Sequence, residues 1–209
     1  MFRELNATET TQNENMSKFN LESILNRISF ILFGVGILLP WNAMLASMDF
    51  FEAQFPSYKP NFSILVAVSA PMFLVQAIAF FFLQKMSQHI KVTLMFALST
   101  IITFAIVIIS LCVKSLGESN AYWAVMTLCF LFGSCYAIMQ AALYGLAGPS
   151  MALMNNLNLG IGMSGLTVNV IRIIVLATVK NSTTGAEIFF FSAGAYLLFV
   201  TVLVGWFVI

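Results

Sequence analysis

Charge is what this sequence has least of. Asp, Glu, Lys and Arg make up only 8% of its 209 residues, against about 25% in a soluble domain. That is too few to cover a surface facing water, so the chain reads as an integral membrane protein. A net charge of +1 provides no basic face, which excludes nucleic acid as a partner. There is one histidine, and the three cysteines (Cys112, Cys129 and Cys135) have neither CxxC nor metal-ligand spacing. All three fall in apolar runs and read as small buried hydrophobes. With no paired carboxylates in the apolar runs and no nucleophile beside a base, neither an enzyme nor a cofactor is expected. No cleavable leader is expected. Residues 1–26 are polar, rich in Asn, Glu and Thr, and read as a solvated cytoplasmic tail.

What the chain has in abundance is apolar length, with 60% hydrophobic residues and a mean hydropathy of +0.96. Crossing about 30 Å of hydrocarbon takes about 20 apolar residues in a helix. That criterion predicts an all-α membrane protein with six transmembrane helices, at 28–51, 62–83, 92–113, 121–146, 151–179 and 186–209. The breaks carry turn and charge signals: Pro56, Lys59 and Pro60, then Lys85 to Lys91 with His89, then Lys114 to Asn120, then Gly148-Pro149, then Lys180 to Gly185. His89, Asp49 and Glu52 fall at membrane edges and read as solvated groups.

Lysines and arginines near span ends set orientation. With the N-terminus in the cytoplasm, Arg3, Lys18, Arg27, Lys85 and Lys91 lie inside, and Lys59, Lys114 and Lys180 outside. The expected protein is multi-pass with its N-terminus in the cytoplasm, the plasma membrane being the expected location. Sequons at Asn61 and Asn181 would then face outward, too close to the membrane for ready glycosylation, while those at Asn6 and Asn15 would be cytoplasmic.

Polar residues inside the spans are the most informative, because an unsatisfied polar group in hydrocarbon is costly. In the fifth span Asn155, Asn158, Gly162, Gly165, Asn169 and Arg172 recur at spacings of three and four, which forms one helical stripe. Such a stripe serves either as interhelical glue with close glycine packing or as the wall of a water-filled cavity. Arg172, about 12 Å of rise from Lys180, favours the cavity, with snorkelling toward the outer face as the competing reading. In the fourth span Gly133, Ala137, Ala141 and Gly145 form a ridge suited to close packing. Beside it, Tyr136, Gln140 and Tyr144 form either a surface for a planar polar ligand or ordinary packing. Ser69 and Gln76 share a face of the second span, which also holds Pro71. Ser99, Thr100 and Thr103 of the third can bond their own backbone. Gly160-x-Gly162-x-x-Gly165 matches a nucleotide fingerprint by letter only, since no strand precedes it.

The first span contains Pro40, Trp41 and Asn42 in sequence, within GVGILLPWNAMLASMDFF (34–51). Proline removes a backbone donor and allows a bend, and Asn42 is placed to satisfy the freed backbone or a neighbouring helix. This stretch resembles the first-helix signature of the equilibrative nucleoside transporters. YAIMQAALYGLAG (136–148) is similar to that family's fourth helix, and GIGMSG (160–165) resembles its glycine-rich fifth. The motifs stand in the family's order, and the resemblance covers 28–209.

The resemblance implies the N-terminal half of an eleven-helix, major-facilitator-like bundle that moves nucleosides or nucleobases by alternating access. It implies that Trp41 packs against the ligand and that Gln140 hydrogen-bonds the base. With the polar faces above, the expected substrate wall is Trp41, Gln140, Tyr136, Tyr144, Gln76, Asn169 and Arg172. Pro40, Asn42, Gly133, Gly145, Gly162 and Gly165 are expected to bend or pack the helices. The family usually has glycine where this chain has Tyr136 and often serine where it has Ala142, which implies a different base selectivity. Its further helices, one with an Asp-x-x-x-Arg pair that holds the ribose, do not occur in this sequence. The expected partners are therefore the substrate, the lipid bilayer, and a C-terminal half or partner subunit. The alternative is a non-transporting scaffold subunit that keeps the fold.

Overall fold

A computed structural model describes residues 2–82, 86–179 and 182–208, with side chains over 23–78, 86–179 and 184–206. Lys85, Lys180 and Asn181 lie outside the described residues, as do the side chains of Arg3, Asn6, Asn15 and Lys18. The described chain is all helix: α1 (Phe2–Ala46), α2 (Met48–Gln54), α3 (Pro60–Phe82), α4 (Gln88–Leu111), α5 (Val113–Leu116), α6 (Glu118–Ala147), α7 (Met151–Thr178) and α8 (Ser182–Val208). Among the described residues, six segments are long and apolar enough to span a bilayer: Ser23–Ala46, Pro60–Ile78, Gln88–Leu111, Glu118–Ala147, Met151–Thr178 and Thr184–Trp206.

Local chemistry explains most of the boundaries. Pro60 opens α3, where its missing N–H is no loss. Gly117, at φ +81°, joins α5 to α6 in a conformation that L side chains rarely adopt. Ser150 follows Pro149 and caps α7, its hydroxyl accepting from the Leu153 amide at 3.5 Å.

The first span departs from the expected 28–51. The helix continues through Pro40 and ends at Ala46; Ser47 turns the chain (φ −115°, ψ 23°) and α2 begins at Met48. The reason lies in the aromatic pair that follows. Phe50 and Phe51 are both buried, and both pack on Phe190 of α8, at ring separations of 6.0 and 5.6 Å. Their burial outweighs the benefit of one more helical turn.

The helices form a bundle with a closed rear and an open front. α1 packs against α7 and α8, α6 against α3 and α4, and α4 against α8. At the rear, the Thr100 and Thr201 hydroxyls meet at 3.2 Å between α4 and α8, and Thr100 and Thr103 also bond their own helix. Tyr196 of α8 donates to the Leu32 carbonyl of α1 at 3.2 Å. Only 17% of the α3 span and 22% of the α7 span are buried, against 56% for α1 and 50% for α6. α3 and α7 therefore flank the front, with α1 and α6 between them.

Two glycine contacts set how closely the front helices approach. A Cβ on Gly34 of α1 would overlap the Leu157 carbonyl oxygen, and one on Gly160 of α7 would overlap the Ile31 carbonyl oxygen. The α1 and α7 backbones thus lie against each other. Gly133 of α6 plays the same part toward α3, where a Cβ would meet the Val68 carbonyl and the Pro71 ring. A strap joins the ends of α3 and α6. The Ser57 amide and hydroxyl donate to the two Glu118 carboxylate oxygens at 2.8 and 2.9 Å, and Tyr58 stacks on Tyr122 at 4.0 Å.

Candidate functional site

The front of the bundle gathers the polar residues of α1, α3, α6 and α7. A cavity of about 210 Å³ opens there, lined by Leu38, Trp41, Val68, Ser69, Met72, Phe132 and Tyr136. Its character comes from the Trp41 indole, the Tyr136 phenol and the Met72 thioether. Trp41 is half-buried and packed against the core, whereas Tyr136 is buried.

Gln76 lies four residues beyond Met72, and Gln140 four beyond Tyr136, so each stands about 6 Å further along its helix. The two meet, Gln76 Nε2 donating to Gln140 Oε1 at 3.4 Å. A further turn along α6, the Tyr144 hydroxyl donates to Asn158 Oδ1 at 2.7 Å and links α6 to α7. Along one line the wall therefore offers flat aromatic faces, then an amide pair, then a phenol–amide bridge. Planar rings pack on the first, and the amides can each donate and accept at a heterocycle edge.

The α7 stripe divides by function. Asn158 is taken by Tyr144, and Arg172 Nη2 pairs with Asp49 Oδ2 of α2 at 3.3 Å. Asn155 and Asn169 are exposed on the front, with no side-chain partner among the described residues. Asp49, which the sequence suggested was merely solvated, is thus placed against the one arginine of α7.

The expected packing glycines need correction. Nothing among the described residues lies within 4 Å of a Cβ built on Gly162, and Gly165 meets only the Asn42 amide at 3.8 Å. Gly145 packs against the Gln88 side chain rather than a helix backbone. The α1 seam instead uses Leu157, Gly160, Ser164 and Val168, on the buried face of α7. These four recur at three- and four-residue steps, a signal present in the sequence but masked by the more polar stripe beside it. Gly34, Gly160 and Ser164 lie in the motifs read from the sequence, but no packing role was expected of them.

Asn42 supports this seam. Its Nδ2 donates to Ser164 Oγ at 2.9 Å, and that hydroxyl donates on to the Ile161 carbonyl at 2.7 Å. The bond ties α1 to α7 at the residue next to Trp41. Asn42→Ala should cost about 1 kcal/mol of stability, read as a lower melting temperature, and Ser164→Ala a similar amount. The double variant should cost less than the sum of the two.

No protein-family profile matches the chain. It is similar to curated transporters of Arabidopsis thaliana. Equilibrative nucleotide transporter 7 is 29% identical over 162 residues, covering 76% of this chain and 38% of that protein. Equilibrative nucleotide transporter 4 is 28% identical over 164 residues (76% and 39%), and transporter 6 is 27% identical over 160 (76% and 38%). The chain spans about two-fifths of the length of these relatives.

Proposed function

We propose that this chain forms one wall of a membrane transporter for nucleosides or nucleobases that works by alternating access. The observation that carries the reading is the cavity between Trp41 and Tyr136, with the Gln76–Gln140 amide pair one turn away. Apolar aromatic faces beside a few directed polar groups suit a planar, uncharged heterocycle. The indole and phenol replace the water stacked on the base, and the amides replace the water at its edge. The similarity to equilibrative transporters supports the same reading.

The relatives are called nucleotide transporters, and a nucleotide would bring a phosphate. The only cation on the α7 stripe, Arg172, is already paired with Asp49, which favours the uncharged nucleoside or base. Trp41, Gln76, Tyr136 and Gln140 hold the ligand, while Tyr144, Asn169 and Arg172 line the path. The N-terminus lies in the cytoplasm. The opposing wall comes from a further half, as rocking of one bundle against another requires.

Radiolabelled uridine and adenosine uptake tests this directly in cells that express the chain alone or with the complementary C-terminal half of a relative. Uptake with the complement supports the reading. No uptake in either case, with the protein present at the membrane, sinks it. Within an active complex, Gln140→Ala should raise KM about 10- to 100-fold, because an amide–base bond lost from a desolvated site costs about 1–3 kcal/mol. An unchanged KM would remove Gln140 from the site.

A further inference from the structure

We propose that Asp49 is a specificity-determining positioning residue, which neutralises Arg172 and so excludes phosphate-bearing relatives of the substrate from the wall. The inference rests on the solute path proposed above and deepens it, by assigning Asp49 a role in the pairing which that reading draws on.

The pair is an open one. The Arg172 side chain keeps 39% of its surface exposed and that of Asp49 keeps 83%. An exposed ion pair with a single contact contributes little stability, so its main effect is on the local field. One Arg172 nitrogen touches one Asp49 oxygen at 3.3 Å. A guanidinium has five N–H donors, and the other four have no acceptor among the described residues. A fork of that kind suits the oxygens of a phosphate.

Its surroundings make the charge matter. The α3 span carries no ionisable side chain. Between Trp41 and their inner ends, the amide and phenol groups of α6 and α7 are neutral. Arg172 stands on the same stripe as Asn155, Asn158 and Asn169, which faces the open front. A lone cation on a low-dielectric wall focuses its field and concentrates anions. Asp49 cancels that field from the neighbouring element. It reaches Arg172 because the turn at Ser47 begins a separate helix there. The pair lines a cleft of about 80 Å³ between the α1–α2 turn, α7 and α8, bounded also by Ser47, Phe50, Val175 and Phe189. A phosphate approaching Arg172 meets an exposed carboxylate at the same place, and an uncharged nucleoside meets a neutral wall.

The test measures adenosine and adenosine monophosphate binding to the purified chain in lipid nanodiscs by titration calorimetry. Wild type is expected to bind adenosine and to bind the monophosphate at least about tenfold more weakly. Asp49→Asn keeps the side-chain shape and should tighten monophosphate binding about tenfold, with adenosine unchanged and the gain lost at high salt. Asp49→Asn/Arg172→Gln should lose the gain. The charge swap Asp49→Arg/Arg172→Asp rebuilds the pair and should exclude the monophosphate as wild type does, a rescue that a purely structural role would not produce. Equal monophosphate affinity in wild type and Asp49→Asn overturns the proposal, as does a gain that persists in the swap or at high salt. If the salt-dependent gain appears while adenosine binds to neither protein, the charge filter stands and the nucleoside reading fails.

Discussion

Gly160→Ala should cost about 3 kcal/mol of stability, and Gly160→Val should leave no monodisperse protein after extraction in mild detergent. In an exposed helix the first change would normally help, since alanine is favoured over glycine by roughly 0.5–1 kcal/mol. At Gly160 the new methyl would overlap the Ile31 carbonyl oxygen and crowd Gly34. Backbone on both sides leaves no flexible side chain to yield. The helices must move apart, which opens the seam that also holds Leu157, Val168 and the Asn42–Ser164 bond. Overpacking of this kind costs about 1–3 kcal/mol even where side chains can give way. Gly162→Ala, two residues along, provides the control. With nothing within 4 Å of its Cβ among the described residues, it should melt at or slightly above wild type. Equal melting temperatures for the two variants would mean that α1 and α7 do not meet at Gly160.

Trp41→Ala should weaken nucleoside binding by roughly 10- to 100-fold, because stacking of a base on an aromatic side chain contributes about 1–3 kcal/mol by alanine substitution. The indole is half-buried, lines the 210 Å³ cavity, and faces it together with Tyr136. Trp41→Phe keeps a ring in place and should recover most of the affinity. The measurement is equilibrium binding of adenosine together with a melting curve for each variant. A loss of affinity in Trp41→Ala without a matching loss in Trp41→Phe separates a stacking surface from general packing. If Trp41→Ala lowers the melting temperature and leaves affinity intact, the indole belongs to the core alone.

How much of this was legible in the sequence varies by element. The six spans were, because a bilayer-crossing helix depends on composition over about 20 residues, which one chain displays in full. The polar faces of α6 and α7 were legible too, since helical periodicity places Gln140 with Tyr136, and Asn158 with Arg172, whatever surrounds them. The turn at Ser47 was not. Nothing local breaks the helix there, and Pro40, the evident breaker, sits inside a continuous one. The break is set by Phe190, nearly a hundred and forty residues away, which takes Phe50 and Phe51 into its aromatic cluster. The choice among Gly160, Gly162 and Gly165 was hidden for a related reason. All three offer the same local freedom, and only the position of α1 decides which of them is pressed against a backbone. The Asp49–Arg172 pair likewise joins residues 123 positions apart, on elements whose separation the turn at Ser47 creates.

The α1–α7 seam bears on how the chain is made. Asn42 finds Ser164 only 122 residues later in the sequence, which at ribosomal rates of about 5–20 residues per second is a wait of roughly 6–25 s. Throughout that interval the first span is already synthesised while its best partner is not. Its exposed amide and its bare Gly34 groove must be sheltered by the insertion machinery or by provisional contacts with α3 and α4. A nascent chain halted before residue 150 should therefore stay crosslinkable to an insertase from position 42, and release should coincide with the emergence of α7.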